Sequence, residues 1–194
     1  MRLILFFASI CSINLSYSQN LDIDFLRNIT INRDRQWENV FIGFTHSAAP
    51  VSIALPTSLV FYGFIKKDSV SKMNGIQSSA AMLLSTLLST SLKYSIDRKR
   101  PFVSYPDIER GTEAGSPSFP SGHTTAVFCT ATSLSLNYPT WYVIIPSYLW
   151  AGSVAYSRMF LGVHYPSDVL GGIVIGVGSA FLCYKLDGWL NDRR

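Results

Sequence analysis

Five stretches of the chain are dominated by apolar side chains, over residues 40–65, 74–92, 122–136, 141–155 and 169–184. Each is close to the roughly 20 residues that a helix needs to cross a bilayer. The pattern therefore predicts an all-α, polytopic membrane bundle with about five spanning helices. The run at 122–136 is unusual in carrying Thr124, Thr125, Thr130, Thr132, Ser133 and Ser135. A helix so rich in hydroxyls is poorly matched to lipid and belongs inside the bundle. Pro50 and Pro56 interrupt the first run, which membrane helices tolerate when neighbours satisfy the freed carbonyls. Gly172 and Gly176 form a small-xxx-small pair on the last run, a place where another helix can approach closely.

The polar connections complete the plan. Residues 1–18 read as an export signal: Arg2 is followed by a mostly apolar run from Leu3 to Ile13, and then by small residues at Ser16 and Ser18. An uncleaved signal anchor is the alternative. Residues 19–194 then form one membrane-embedded domain. Between 19 and 38, Leu21, Phe25, Leu26 and Ile29 recur at near-helical spacing, which predicts a short amphipathic helix at the membrane surface with Trp37 as an interfacial anchor. If the leader is exported, this segment lies outside. The first run then goes inward to Lys66, Lys67 and Lys72, and the second returns outward to Lys93. The third, fourth and fifth runs each bring one end back to that outer face. Lys93, Arg98, Lys99, Arg100, Arg110 and Arg158 all fall there, against the usual cytoplasmic bias of cations. Either the topology is inverted or these cations are placed there for a reason; the agreement of the export-like leader with the basic patches at Lys66–Lys72 and at Lys185, Arg193 and Arg194 favours the second.

Composition agrees with a lipid-dissolved chain. Of the 194 residues 48% are hydrophobic and 14% charged, below the roughly 25% charge of soluble domains. The net charge of +4 carries little meaning apart from where the charges sit, and no nucleic-acid partner is expected. Cys11, Cys129 and Cys183 have neither zinc-site spacing nor the pattern of a disulfide framework.

The outer-face residues fall into three clusters: Lys93-(six residues)-Arg100-Pro101, then Pro120-Ser121-Gly122-His123, then Ser157-Arg158-(five residues)-His164-(three residues)-Asp168. Lys93, Arg100 and Arg158 form an anion clamp, the two guanidinium forks suiting bidentate contact with phosphate. Ser121 and Gly122 open a helix whose free N–H groups favour an anion. Asp168, four residues after His164, is placed to hold one ring nitrogen protonated and leave the other as a nucleophile. His123 is then available as general acid and base.

In this order and spacing the three clusters resemble the signatures of the type 2 phosphatidic acid phosphatase superfamily, with no departure at any motif position. The resemblance implies a metal-independent, cofactor-free phosphatase acting through a phosphohistidine. By that likeness His164 is the nucleophile, Asp168 its orienting partner and His123 the acid and base. Lys93, Arg100, Ser121, Gly122 and Arg158 would hold the phosphoryl oxygens.

The expected substrate is a lipid phosphate monoester or diphosphate held at the outer face of a bacterial inner membrane. Undecaprenyl diphosphate, phosphatidic acid or phosphatidylglycerophosphate, and lipid A phosphate are the candidates. A periplasmic acid phosphatase for soluble esters and a non-catalytic binder of anionic lipid are the alternatives. The remaining polar residues have plainer expectations. Arg98, Lys99 and Arg110 read as solvated or lipid-facing cations, Asp97 as a local ion-pair partner, and His46 as a packed, hydrogen-bonded histidine.

Overall fold

The computed structural model describes residues 21–191, which are helical apart from their connections; the leader over 1–18 lies outside them, as do Arg193 and Arg194. A surface helix α1 covers residues 21–30, and a short 3-10 turn at Arg35–Trp37 leads into α2, Glu38–Lys66. There follow α3 (Ser69–Ile96), the one-turn α4 (Pro101–Ser104), α5 (Gly122–Asn137), α6 (Trp141–Phe160) and α7 (Pro166–Asn191). Each of the five apolar runs becomes one helix.

Helix ends follow local chemistry. Asp68 caps α3, its carboxylate accepting from the Val70 and Ser71 N–H groups. Gly162 ends α6 in the left-handed conformation, φ 67°, which glycine adopts without steric cost. Helices α3 and α7 run beyond the apolar stretches that predict them: α7 continues through Lys185 and Asp187.

Helix α5 is the axis of the bundle and packs against α7, α6, α3 and α2. Its Thr124, Thr125, Thr130, Thr132 and Ser133 are buried, as the hydroxyl-rich pattern predicts. Most satisfy themselves along the helix or with a neighbour; Thr125 Oγ1 donates to the Ser121 carbonyl, and Thr132 Oγ1 meets Tyr148 Oη at 3.0 Å. At 16 residues this helix spans about 24 Å at 1.5 Å per residue, short of the ~30 Å hydrocarbon core. Among the described residues, two helices are long and apolar enough to cross a membrane, Arg35–Lys66 and Pro166–Leu190.

The glycine pair sets the α5–α7 approach. A Cβ at Gly172 would come within 2.8 Å of the Ser121 carbonyl oxygen, and one at Gly176 within 2.9 Å of the Cys129 nitrogen. Both obstacles are backbone, so an added methyl would force the helices apart. Gly176→Ala is expected to cost about 1–3 kcal/mol, read as a lower thermal midpoint in detergent. Gly178→Ala is the matched control, since a Cβ there meets nothing within 4 Å; it should leave the midpoint unchanged or raise it.

The antiparallel threading brings the C-terminal ends of α3 and α6 to the N-terminal ends of α5 and α7. At the other end of the bundle, Asn137 Nδ2 donates to Gln77 Oε1 at 2.8 Å, tying α5 to the start of α3. Helix α1 lies across the first of these ends, with Ile23 and Leu26 buried against Ile108 and Tyr165. Its Leu21 and Phe25 are exposed, as is Trp37 beyond it. This is the amphipathic surface segment expected from the sequence.

Candidate active site

The three motifs meet where four helix ends converge. Lys93, in the last turn of α3, donates from Nζ to the carbonyls of Pro117 and Pro120, both at 2.8 Å. Those carbonyls belong to the segment that delivers Ser121, Gly122 and His123 to the start of α5. The Ser121 N–H in turn donates to the Asp168 carbonyl at 3.0 Å, so the first turns of α5 and α7 are bonded directly. Ser121 is fully buried, and its hydroxyl accepts from Thr124 Oγ1 at 2.9 Å. Gly122 has open space where a side chain would be, with nothing within 4 Å of a built Cβ. The glycine is therefore not demanded by protein packing, and its bare backbone borders the free volume of the site.

Arg100 reaches in from the loop after α3. Its Nε donates to the Ser116 carbonyl at 2.7 Å and its Nη1 to the Val163 carbonyl at 2.9 Å, with the same Nη1 3.3 Å from His164 Nε2. Arg158, in the last turn of α6, donates from Nη1 to Thr45 Oγ1 at 2.5 Å, while its buried Nε has no hydrogen-bond partner. Thr45 comes from α2 and was not marked by any motif. Its hydroxyl also accepts from Ser157 at 3.2 Å, which fixes the structural part played by Ser157. His123 is half-buried at the second position of α5.

The ring of His164 lies between two partners. Its Nδ1 is 3.4 Å from Asp168 Oδ2 and its Nε2 faces Arg100. The path to this position is set by the turn at Gly162, after which the His164 N–H reaches back to the Arg158 carbonyl at 3.2 Å. Burial, together with the positive charges of Arg100 and Arg158 and against the pull of Asp168, lowers the His164 pKa from 6.5 to about 3. The sign is that of a base made harder to protonate, so the ring stays neutral and nucleophilic through neutral and mildly acid pH. Below 6.5 the unfolded chain takes up a proton that the folded chain refuses, and stability falls toward pH 3. Nitrogen-15 NMR of histidine-labelled protein should find His164 neutral at pH 5; an imidazolium signal growing in near 6.5 would contradict this.

Asp168 is completely buried and fully occupied. It sits at the third position of α7, after Tyr165 and Pro166, and its Oδ2 accepts from the Tyr165 N–H at 2.9 Å. This is the reach-back of a capping box with proline at the first helical position. Oδ2 also accepts from Ser118 Oγ at 2.5 Å, and Oδ1 from Arg98 Nη1 at 2.7 Å. Arg98 is thus not the solvated cation that its basic neighbourhood suggested. Burial opposes its charge, but Asp168 and Asp22 more than offset that and its pKa is raised. Ser118, Arg98 and Thr45 are the site residues that sequence reasoning missed. Arg98 sits two residues before Arg100, and that proximity was the one available hint.

Two further residues depart from expectation. Asp97 ends α3 at φ 48° and makes no ion pair with the described residues. His46 is exposed on α2 rather than packed. Arg110 is exposed, in keeping with the expectation, and its guanidinium lies 5.5 Å over the Phe102 ring.

The charges of the site are unevenly compensated. Arg27, Arg33, Arg35 and Arg98 all have carboxylates within 4.0 Å. Lys93, Arg100 and Arg158 are buried, at 9%, 7% and 2% exposure, and none has an acidic partner among the described residues. A buried cation without a counter-charge is costly. All three lie close enough to His123, and the two arginines to His164, to act on those rings electrostatically, an arrangement whose charge an anion would complement.

The PAP2 superfamily model matches residues 74–192. The chain belongs to that superfamily. An undecaprenyl-diphosphatase of Sulfolobus acidocaldarius is 32% identical over 114 residues, covering 58% of this chain and 55% of the relative. A lipid A 1-phosphatase of Rhizobium johnstonii is 35% identical over 131 residues, covering 58% and 52%. The chain thus spans about half the length of these curated relatives. The crystal structure of the first transmembrane PAP2 type phosphatidylglycerolphosphate phosphatase from Bacillus subtilis superposes with a TM-score of 0.74 at 28% identity, covering 96% of this chain and 94% of that one.

Proposed function

We propose that this PAP2 protein is an integral membrane hydrolase that cleaves a lipid phosphate monoester or diphosphate through a phosphorylated His164. The observation that carries this reading is the set of three buried, unpaired cations, Lys93, Arg100 and Arg158, beside His123 and His164. A phosphoryl group supplies the missing negative charge, and the N–H groups at the start of α5 add donors for its oxygens.

The steps follow from the partners of each group. His164 Nε2 attacks phosphorus while Asp168 holds the proton on Nδ1 and stabilises the charge that the ring acquires. The bond from phosphorus to the leaving oxygen breaks, and His123 gives that oxygen a proton. His123 then takes a proton from water, which attacks the phosphohistidine; phosphate leaves and His164 is restored neutral. Lys93, Arg100 and Arg158 hold the equatorial oxygens throughout. The exposed apolar side chains of α1, α2, α3, α6 and α7 favour a bilayer setting with five spans, the hydroxyl-rich α5 shielded at its centre. In that setting a headgroup enters at the helix ends while its chains stay in lipid. An exported leader puts this end on the outer face of a bacterial inner membrane. Undecaprenyl diphosphate, phosphatidylglycerophosphate or phosphatidic acid, and lipid A phosphate are the substrates to try.

Phosphate release by purified protein from that panel, with His164→Ala alongside, tests the reading. Release from at least one lipid, absent in the variant, is expected. No release from any of them, or equal release by the variant, would sink it. Activity should persist in chelator, because Lys93, Arg100 and Arg158 supply the positive charge; a strict need for a divalent ion would count against the mechanism.

A further inference from the structure

Asp168 does not face His164 alone. Its second oxygen is held by Arg98 Nη1 at 2.7 Å, and Arg98 is itself held from the far side by Asp22 of α1, Nη2 to Oδ2 at 2.7 Å. Arg98 Nη1 also donates to Ser167 Oγ at 2.6 Å, and its guanidinium lies 3.9 Å over the Tyr165 ring. Asp22 accepts in addition from the Ser167 N–H at 2.9 Å and from Ser167 Oγ at 2.5 Å. It therefore occupies a free N–H at the first turn of α7, the turn that carries Asp168. Asp22 is 145 residues from Ser167 in sequence, yet its side chain is 9% exposed and Asp168 is 0% exposed.

We propose that Asp22 and Arg98 are positioning residues for the His164–Asp168 pair, so that the surface helix α1 is a working part of the site. The proposal rests on the phosphatase reading above. Asp168 serves His164 only if its carboxylate cannot rotate or draw a second proton-bearing partner into the ring's place. Arg98 holds Oδ1, so that Oδ2, which also accepts from Ser118 Oγ and the Tyr165 N–H, stays turned toward the imidazole, while Asp22 holds Arg98 from its far side. A displacement of the dyad of even about 1 Å costs up to ~10²-fold in rate.

The competing view is that Asp22 merely pins α1 down. Helix α1 carries a second ion pair to the same region, Arg27 Nε to Asp107 Oδ2 at 2.8 Å, which touches neither Asp168 nor His164. It provides the control. Asp22→Asn, nearly isosteric, is expected to lower kcat about tenfold with KM within about twofold, whereas Arg27→Gln leaves kcat within about twofold. Arg98→Met should lower kcat further, and Arg98→Lys, which keeps a cation between the carboxylates, should recover part of that loss at equal thermal midpoint. If Asp22→Asn does not fold, the Arg98→Lys and Arg98→Met comparison stands in its place.

The inference is overturned if Asp22→Asn keeps wild-type kcat, if Asp22→Asn and Arg27→Gln lose kcat equally and in step with stability, or if Arg98→Lys is no better than Arg98→Met. His164→Ala in the same assay separates the two levels. An inactive His164→Ala with an unimpaired Asp22→Asn removes only the inference; an active His164→Ala removes the phosphatase reading and the inference with it.

Discussion

Replacing His164 by alanine is expected to lower turnover by about 10⁴-fold or more, the scale on which loss of a covalent nucleophile is felt. The substitution removes the atom that bonds phosphorus and leaves the cation clamp in place, so lipid phosphate should still bind. A KM or Kd near the wild-type value, with kcat at background, is the combination to look for. Asp168→Asn should be milder, since the ring remains, held by Arg100 and the backbone. Its effect should fall on kcat rather than on binding. Neither variant should be rescued by adjusting pH within the neutral range, since neither the lost nucleophile nor the lost carboxylate returns with protonation. Steady-state kinetics on the best substrate of the panel, with binding measured separately, checks both.

The second large effect has two opposite signs. Arg158 is 2% exposed and, among the described residues, its Nε has no partner and its guanidinium's one hydrogen bond goes to the neutral Thr45. A guanidinium so placed costs stability in the unliganded protein, because its desolvation is not matched by a carboxylate. Arg158→Met keeps much of the volume and removes the charge. The unliganded variant is therefore expected to be as stable as wild type or more so, by up to about 1–4 kcal/mol. Its turnover should fall by about 10²–10³-fold, the loss typical of one donor to transition-state charge. Thermal unfolding in detergent and kcat on the same preparations test the pair of signs. A variant that loses both stability and activity would mean that Arg158 is a structural cation, and the clamp would have to be redrawn without it.

The ease with which this site could be read from sequence differs residue by residue. His123, His164, Asp168, Lys93, Arg100 and Arg158 are legible because each sits at a fixed offset within its own cluster, and helix ends carry such offsets into space intact. Gly172 and Gly176 are legible for the same reason, a four-residue period on one helix face. Asp22, Ser118 and Thr45 are not, because their partners lie 145, 50 and 113 residues away and nothing local distinguishes them. Arg98 was obscured by its neighbours: within Arg98-Lys99-Arg100 a solvated cation and a buried one look alike until the chain folds. Helix boundaries suffered where apolar composition stops before the helix does, as in α7, which runs to Asn191 past the apolar limit at Tyr184.

The central claim, a covalent phosphohistidine, makes a prediction about a single nitrogen. Because Nδ1 faces Asp168 at 3.4 Å and Nε2 faces Arg100 at 3.3 Å, the phosphoryl group must be carried on Nε2. Purified protein is mixed with a radiolabelled lipid phosphate, quenched within one turnover in alkali, and digested for mass spectrometry. The account predicts acid-labile label on His164, at Nε2, and none in His164→Ala. Label on another residue, label on Nδ1, or full turnover without any trapped phosphoenzyme would contradict it.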